Sequence, residues 1–371
     1  MIKIKQKPED FVVKERLDID KFINNFNDKN KNSTNNGDFS YYKLTKTNYN
    51  TISAIKAIAR AWGLDEKFVN FAGTKDRNAV TEQYISIKRG PKKDLYINDI
   101  TLNFLGVGKE RINLGVLDGN DFEIVVEFSS GSSNGDKLPY RKIKKMVNYF
   151  DDQRFGNKKE NHIIGKLLVQ KKFKDVCDLL KLEVKGNDHV KAIRVMHKKL
   201  LQLFVHAYQS YLWNNAVSEY IKSNYSFYEI DYSLGKLAVP NVINDLNGFD
   251  VPLVGFGTEE YFEENKDNQS LMKLLKIIEK ILEKEKINYR DFIIREIPEL
   301  SSEGTIRAMT TNVSKLKINE LGKKNFFIRI ISYVTGLFTK NDDQSTSKKY
   351  KLCFGLGSGS YATMAVKTIF N

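Results

Sequence analysis

The chain has 371 residues, 41% hydrophobic and 29% charged, with a formal net charge of +14. That length and apolar content suit a globular protein with two domains. The cationic excess argues for a polyanionic partner, nucleic acid ahead of a membrane, because no single amphipathic segment concentrates the charge and no lipid-anchor motif is present. In chain order, Ile4 to Glu15 contains Phe11-Val12-Val13 between charged flanks, which predicts a strand. Residues 24–37 turn to Asn, Lys, Asp and Ser, the composition of a flexible loop. A strand resumes over Tyr41 to Leu44. Asn50-Thr51 then caps a helix whose apolar positions Ile52, Ile55, Ile58, Ala59 and Trp62 fall on one face and which ends at Gly63.

Phe68, Val69, Phe71 and Ala72 predict a short buried strand that turns at Gly73-Thr74 into a second strand through Gln83, Ile85 and Ile87. Asp76 lies on that turn, between Lys75 and Arg77. A carboxylate at a strand end, flanked by cations and fixed by a sheet, is placed to act as an ionised nucleophile or base. The same tetrapeptide Gly73 to Asp76 is also an ordinary polar turn, and on its own the segment favours that reading. Further on, Ile112 to Leu117 and Phe122 to Phe128 read as strands joined by a turn at Asp118-Gly119-Asn120-Asp121. Arg141 to Phe150 reads as a basic helix with Ile143, Met146, Val147 and Phe150 on one side. Helical periodicity continues over Ile163 to Leu180, Lys198 to Ile221 and Ser270 to Lys286, the last with a stripe of Leu271, Leu274, Leu275, Ile278 and Leu282. Strands return at Phe326 to Phe338 and Tyr350 to Phe354, followed by a Gly/Ser loop and Tyr361 to Ile369. A β-rich start, a helical middle and a β-rich end predict an α/β (α+β) protein, one sheet domain interrupted by a helical insertion, without internal repeats.

The amino terminus lacks the apolar run of a leader, and Phe326 to Phe338 contains Arg329 and is too short to cross a bilayer, so a cytoplasmic protein is expected. Cys177 and Cys353 lack metal-ligand spacing and read as reduced, buried thiols. His162 and His206 have no Cys or second His at metal spacing, so no zinc site is expected. Arg141 to Lys145 and Arg194 to Lys199 could line a phosphate groove, although each alone reads more simply as a solvated helix face. Phe122, at a strand start beside a loop, could face a flat base; taken singly, it fits core packing better. Gly355 to Ser360 lacks the lysine spacing of a phosphate loop, so a nucleotide-binding reading is rejected.

Phe71 to Arg77 with Ala79-Val80-Thr81-Glu82-Gln83 resembles the signature of the TruD family of pseudouridine synthases. Pro8 to Val13, Leu114-Gly115 with Gly119 to Phe122, Asn148 to Gly156, Gln209 to Asn214 and Gly359 to Thr363 are similar to further family blocks, in the family's order and across nearly the whole chain. The resemblance implies a pseudouridine synthase catalytic domain built on a mixed, mainly antiparallel sheet and split by the family's inserted domain. The expected bounds are residues 1–160 and 303–371 for the catalytic domain and 161–302 for the insertion.

By the same resemblance Asp76 is the catalytic aspartate, Phe122 and Asn120 line the uracil pocket, Lys5 is a pocket lysine, and Lys75, Gln83 and Arg154 bind substrate. No cofactor or metal is implied. The partner implied is RNA, with tRNA favoured and the uridine at position thirteen of the D-arm the expected target, and the protein is expected to be a monomer. The alternative is a non-catalytic RNA-binding protein on the same scaffold. Three positions depart from the family pattern: Gly357-Ser358 lacks a usual proline, Lys367 stands where an arginine is usual, and Asp151 replaces a common glycine.

Overall fold

A computed structural model describes residues 2–23, 37–128, 140–246, 248–321 and 348–371. The first elements are β1 (Ile2–Ile4), β2 (Phe11–Arg16), β3 (Phe39–Thr47), α1 (Thr51–Trp62), β4 (Val69–Phe71), β5 (Val80–Lys88), β6 (Leu95–Ile97), β7 (Ile100–Gly108) and β8 (Gly119–Phe128). Then come β9 (Lys145–Val147), α2 (Asn161–Val169), α3 (Phe173–Leu180), α4 (His189–Arg194), α5 (Lys198–Asn224), β10 (Phe227–Tyr232), β11 (Gly235–Pro240), β12 (Asp250–Leu253), α6 (Thr258–Glu264) and α7 (Gln269–Glu285). The last are β13 (Thr305–Ala308), β14 (Thr310–Leu321), β15 (Lys348–Gly357) and α8 (Ala362–Ile369). They group into two compact units, the described residues of Met1–Leu138 with Val313–Gly359, and those of Pro139–Asn312 with Ser360–Asn371.

In the first unit one twisted sheet runs in the order β6-β7-β3-β5-β2-β8-β15-β14, with β1 added to β8 and β4 to β5. Only the β2/β5 pair is parallel among these, so the sheet is mixed and mainly antiparallel as expected. Helix α1 covers one face. Its start is fixed by Asn50, whose side chain accepts the Ser53 N–H at 2.7 Å, and its end by Gly63, whose φ of +63° would strain any residue with a Cβ. Ala54, Ile55 and Ile58 pack against Tyr42, Leu44, Ile85, Ile87, Ile100 and Leu102. Each fully buried aliphatic side chain there contributes roughly 1.5–3 kcal/mol. Ile52, expected on the same face, is 47% exposed, because the buried stripe is set by Thr51, Ala54, Ile55, Ile58 and Ala59.

The second unit is built on α5, which is buried on several sides along Leu201 to Ile221 and packs against α2 and α7. Gly165 permits the closest approach, since a Cβ there would stand 2.0 Å from the Phe204 carbonyl oxygen. Leu271, Leu274, Ile278 and Leu282 of α7 are buried, as their stripe predicts. Two small antiparallel pairs, β10 with β11 and β12 with β13, accompany the helices of this helix-rich stretch.

Three local expectations fail for physical reasons. Residues 141–150 form extended chain with strand β9 paired to Thr310–Asn312, not a helix. Met146 through Phe150 are all buried, so the stretch is enclosed on both sides and its apolar spacing is not an amphipathic stripe. Ile112 to Leu117 has no strand partner; Leu114 is 69% exposed, Gly115 takes a φ of +90°, and β8 begins already at Gly119. At the carboxy terminus Gly355 to Gly357 continue β15, and Ala362–Ile369 is a helix with Met364, Ala365, Val366 and Ile369 buried. Residues 24–36 and the expected strand Phe326 to Phe338 lie outside the described residues.

Candidate active site

Strand alternation in the first unit would normally keep the face under α1 apolar. Here two neighbouring rows of that face are not. Lys46 pairs with Thr81, Thr81 with Val13, Leu44 with Gln83, and Glu15 with Asn120. Lys46, Thr81 and Gln83 are fully buried, and Glu15 is 7% exposed. Buried polar groups cost free energy unless they find partners, and most of these hold the loop between β4 and β5. Gln83 Nε2 donates to the Gly73 carbonyl at 3.2 Å and its Oε1 accepts from the Thr51 hydroxyl at 2.9 Å; Thr51 Oγ1 accepts the Lys75 N–H at 2.8 Å. Lys75 Nζ donates to Glu15 Oε2 at 2.6 Å, and Glu15 Oε1 accepts the Tyr84 N–H at 3.2 Å. Lys46 Nζ donates to the Tyr49 carbonyl and, at 3.2 Å, to that of Asp76. Burial lowers the Lys46 ammonium to about 8, with Asp76 opposing the shift and Lys75 adding to it.

Asp76 stands at the outer end of this network with its side chain 51% exposed. Its Oδ2 accepts from Lys5 Nζ at 2.9 Å. Lys5 has a φ of +61°, uncommon for a residue with a Cβ, and its ammonium lies 3.9 Å from the centre of the Phe11 ring. Phe11 meets Phe122 edge-on at 6.2 Å, and Phe122 stacks on Phe354 at 5.6 Å. An accessible carboxylate is therefore tied through one cation to an aromatic floor. That arrangement can present a negative charge to a ligand while holding its geometry.

Of the residues expected to form the site, Asp76 and Lys5 touch, and Lys75 and Gln83 brace the loop. Phe122 is 7% exposed in the aromatic row, and Asn120 lies one row away with its Oδ1 buried and unpartnered. Arg154 belongs to the second unit, where its Nε donates to Ser210 Oγ at 2.9 Å and burial lowers its guanidinium below its usual range. In the same unit Asn214 brackets Phe150, accepting its N–H at 3.0 Å and donating to its carbonyl at 2.8 Å, while Arg307 lies 4.1 Å from the centre of the Phe150 ring. Two departures from the family pattern meet here. Lys367 Nζ lies 2.7 Å from Asp151 Oδ1, so the lysine neutralises a carboxylate that is 3% exposed.

Glu15 and Lys46 carry no role in the sequence reading, and Thr51 only that of a helix cap. For Glu15 and Lys46 a signal existed, since each occupies the apolar phase of its strand, after Phe11 and Val13 and after Tyr42 and Leu44. Among the described residues no group of three or more His, Cys, Asp or Glu side chains could hold a metal ion, and no helix is long and apolar enough to cross a membrane. Cys177 and Cys353 are free thiols, the first buried and the second half-buried.

The first unit is a mainly antiparallel sheet domain that presents a braced, half-exposed aspartate beside a lysine and an aromatic row, a candidate carboxylate-centred site. The family profile described as tRNA pseudouridine synthase D (TruD) matches residues 1–181, 176–232 and 250–369. The chain belongs to the TruD family. The tRNA pseudouridine synthase D of Aquifex aeolicus is 28% identical over 428 residues, covering 100% of this chain and 98% of the relative. A relative of the same family name from Nanoarchaeum equitans is 28% identical over 431 residues, with 100% and 98% covered. A crystal structure of a Methanosarcina mazei protein bearing the TruD name shares the fold, with a TM-score of 0.61 at 21% identity, over 99% of this chain and 93% of that one.

Proposed function

We propose that this protein is a pseudouridine synthase acting on tRNA, with Asp76 as its catalytic carboxylate and the uridine at position thirteen as its target. The observation that carries the reading is the Asp76 carboxylate, half-exposed and 2.9 Å from Lys5 in a chain of the TruD family. The reaction breaks the bond from the ribose to a ring nitrogen of uracil, turns the base and rejoins it through a ring carbon. That carbon gives up a proton and the nitrogen takes one up, so no atom or electron is gained overall. Asp76 acts on the ribose or on the base of the extruded uridine, as nucleophile or as base. Lys5, pinned by Phe11, supplies the countercharge and fixes the direction of the carboxylate.

The target has to leave its stack at a cost of about a few kcal/mol, part of which an aromatic floor at Phe122 returns. Asn120, one row from Phe122 on β8, is the amide assigned to the polar edge of the uracil. Lys75 and Gln83 serve the substrate by holding the loop, and Arg154 by contacting the RNA from the second unit. In this reading residues 1–160 and 303–371 form the catalytic domain and 161–302 the insertion. The protein works in the cytoplasm as a monomer without a cofactor.

Incubation with unmodified tRNA transcripts and mass-spectrometric detection of pseudouridine tests the proposal. The parent is expected to convert one uridine, and Asp76→Asn to bind tRNA without converting it. Binding without conversion by the parent would leave a passive RNA-binding protein, and conversion by Asp76→Asn would remove that residue from the chemistry.

A further inference from the structure

A recess lies in the first unit, beside the Asp76 loop. Its volume is about 380 Å³, and it is lined by Asn48, Tyr49, Asn50, Ser53 and Arg77. A volume of that order is within the usual range of small-ligand sites. All five lining residues carry polar groups and the one charge is positive. Arg77 Nε donates to the Asn48 carbonyl at 3.2 Å, which uses one of the five N–H donors of the guanidinium. Asn50 spends its Oδ1 on the Ser53 N–H at 2.7 Å, so its amide NH2 remains a donor, as does the Ser53 hydroxyl. The recess is therefore rich in donors and lacks a carboxylate, and Tyr49, half-buried against the core under α1, forms part of its wall.

Its position relative to Asp76 is fixed by the chain and by Lys46. Arg77 is the next residue, with consecutive Cα atoms about 3.8 Å apart. The buried Lys46 ammonium donates both to the Tyr49 carbonyl in the recess wall and to the Asp76 carbonyl. The wall and the catalytic residue thus lie on either side of one nitrogen atom, within reach of adjoining parts of a single RNA strand.

We propose that this recess receives a nucleotide neighbouring the target uridine, its phosphate on Arg77 and the Asn50 amide and its sugar or base against Tyr49. The inference rests on the function proposed above and adds a subsite to it: the strand is gripped on one side of Asp76 while the uridine is worked on at the other. Charge-assisted contacts from arginine to phosphate are among the stronger hydrogen bonds available for such a grip.

The test uses the full chain carrying Asp76→Asn, so that binding is read without turnover, and a fluorescently labelled unmodified tRNA transcript. Arg77→Gln removes the charge, and Ser53→Trp fills the recess from an exposed position on α1. Each is expected to weaken tRNA binding by about fivefold or more, and Arg77→Gln to reduce the slope of log K against log salt by about one phosphate contact. The double variant is expected to bind no worse than the weaker single one, since both changes remove the same nucleotide. With Asp76 restored, KM should rise more than kcat falls. Parental affinity in either variant, or effects that simply add, would overturn the subsite. If the parent converts tRNA while these variants bind normally, only the subsite fails; if the parent does not bind tRNA, the proposed function and the subsite fail together.

Discussion

Replacing Lys75 by methionine tests whether the brace beneath Asp76 is what the distances imply. Lys75 Nζ and Glu15 Oε2 are 2.6 Å apart, with the side chains 7% and 0% exposed. Surface ion pairs are worth little, but removing one member of a buried pair leaves the other charge without compensation and costs about 3–5 kcal/mol. Methionine keeps the length and apolar bulk of lysine, so Lys75→Met isolates the charge. Glu15→Gln in the same background removes the stranded carboxylate while keeping an oxygen that can accept the Tyr84 N–H, and should recover about 2 kcal/mol or more of the loss. Urea unfolding followed by Trp62 fluorescence in a Trp213→Phe background reads the first unit alone, because Trp62 packs there and Trp213 lies in the second. A loss below ~1 kcal/mol in Lys75→Met, or additive effects in the double variant, would refute the brace.

Lys46, lowered by burial to about 8 from its usual 10.5, gives a pH test. Its folded value is the lower one, so below pH 8 both states hold the proton and the fold bears the whole burial cost; between about pH 8 and 10.5 the unfolded chain binds more protons, and stability rises with pH by ~3 kcal/mol from this group. Lys46→Met should lack that rise, and parallel stability curves for parent and variant from pH 7 to 10.5 would rule it out. Phe122→Leu, which keeps most of the buried volume between Phe11 and Phe354, is expected to slow pseudouridine formation by about tenfold while melting within a few degrees of the parent; an unchanged rate would make Phe122 a packing residue only. With a net charge of +14, tRNA affinity should fall about tenfold or more between ~50 and ~200 mM salt, and a flat titration would show that phosphate contacts do not drive binding.

The parts of the first unit that could be read from sequence are those whose signals are local. Asn50 and Gly63 mark the ends of α1 by cap chemistry alone, and the alternation through Gln83, Ile85 and Ile87 gives β5 its inward face. The partners of the buried polar residues are not local. Lys75 and Glu15 are separated by 60 positions, so proximity to Asp76 draws the lysine toward a ligand role while the carboxylate that holds it is invisible until the strands are paired. Periodicity likewise fails where burial is two-sided, as at Met146 to Phe150, because a fully enclosed strand and one face of a helix can share the same apolar spacing. Arg154 was recognised by its motif, yet motif order does not reveal that it and Asp76 fall in different compact units.

The polar rows of the sheet explain how an open loop can hold a carboxylate still. A tight hairpin between β4 and β5 would fix its turn by backbone bonds and bring the strands together, leaving no room for a nucleoside beside the carboxylate. In the 72–79 segment the work falls largely to side chains reaching in from other elements: Gln83 to the Gly73 carbonyl, Thr51 to the Lys75 N–H, Lys46 to the Asp76 carbonyl and Lys5 to the Asp76 carboxylate. These anchors come from β5, the start of α1, β3 and the segment before β2, so no single strand displacement releases the loop. Burying Lys46 and the Glu15–Lys75 pair costs stability that an apolar face would not have cost. The compensation is a wide, braced loop with its one carboxylate half-exposed, the geometry that the proposed reaction on an extruded nucleotide would use.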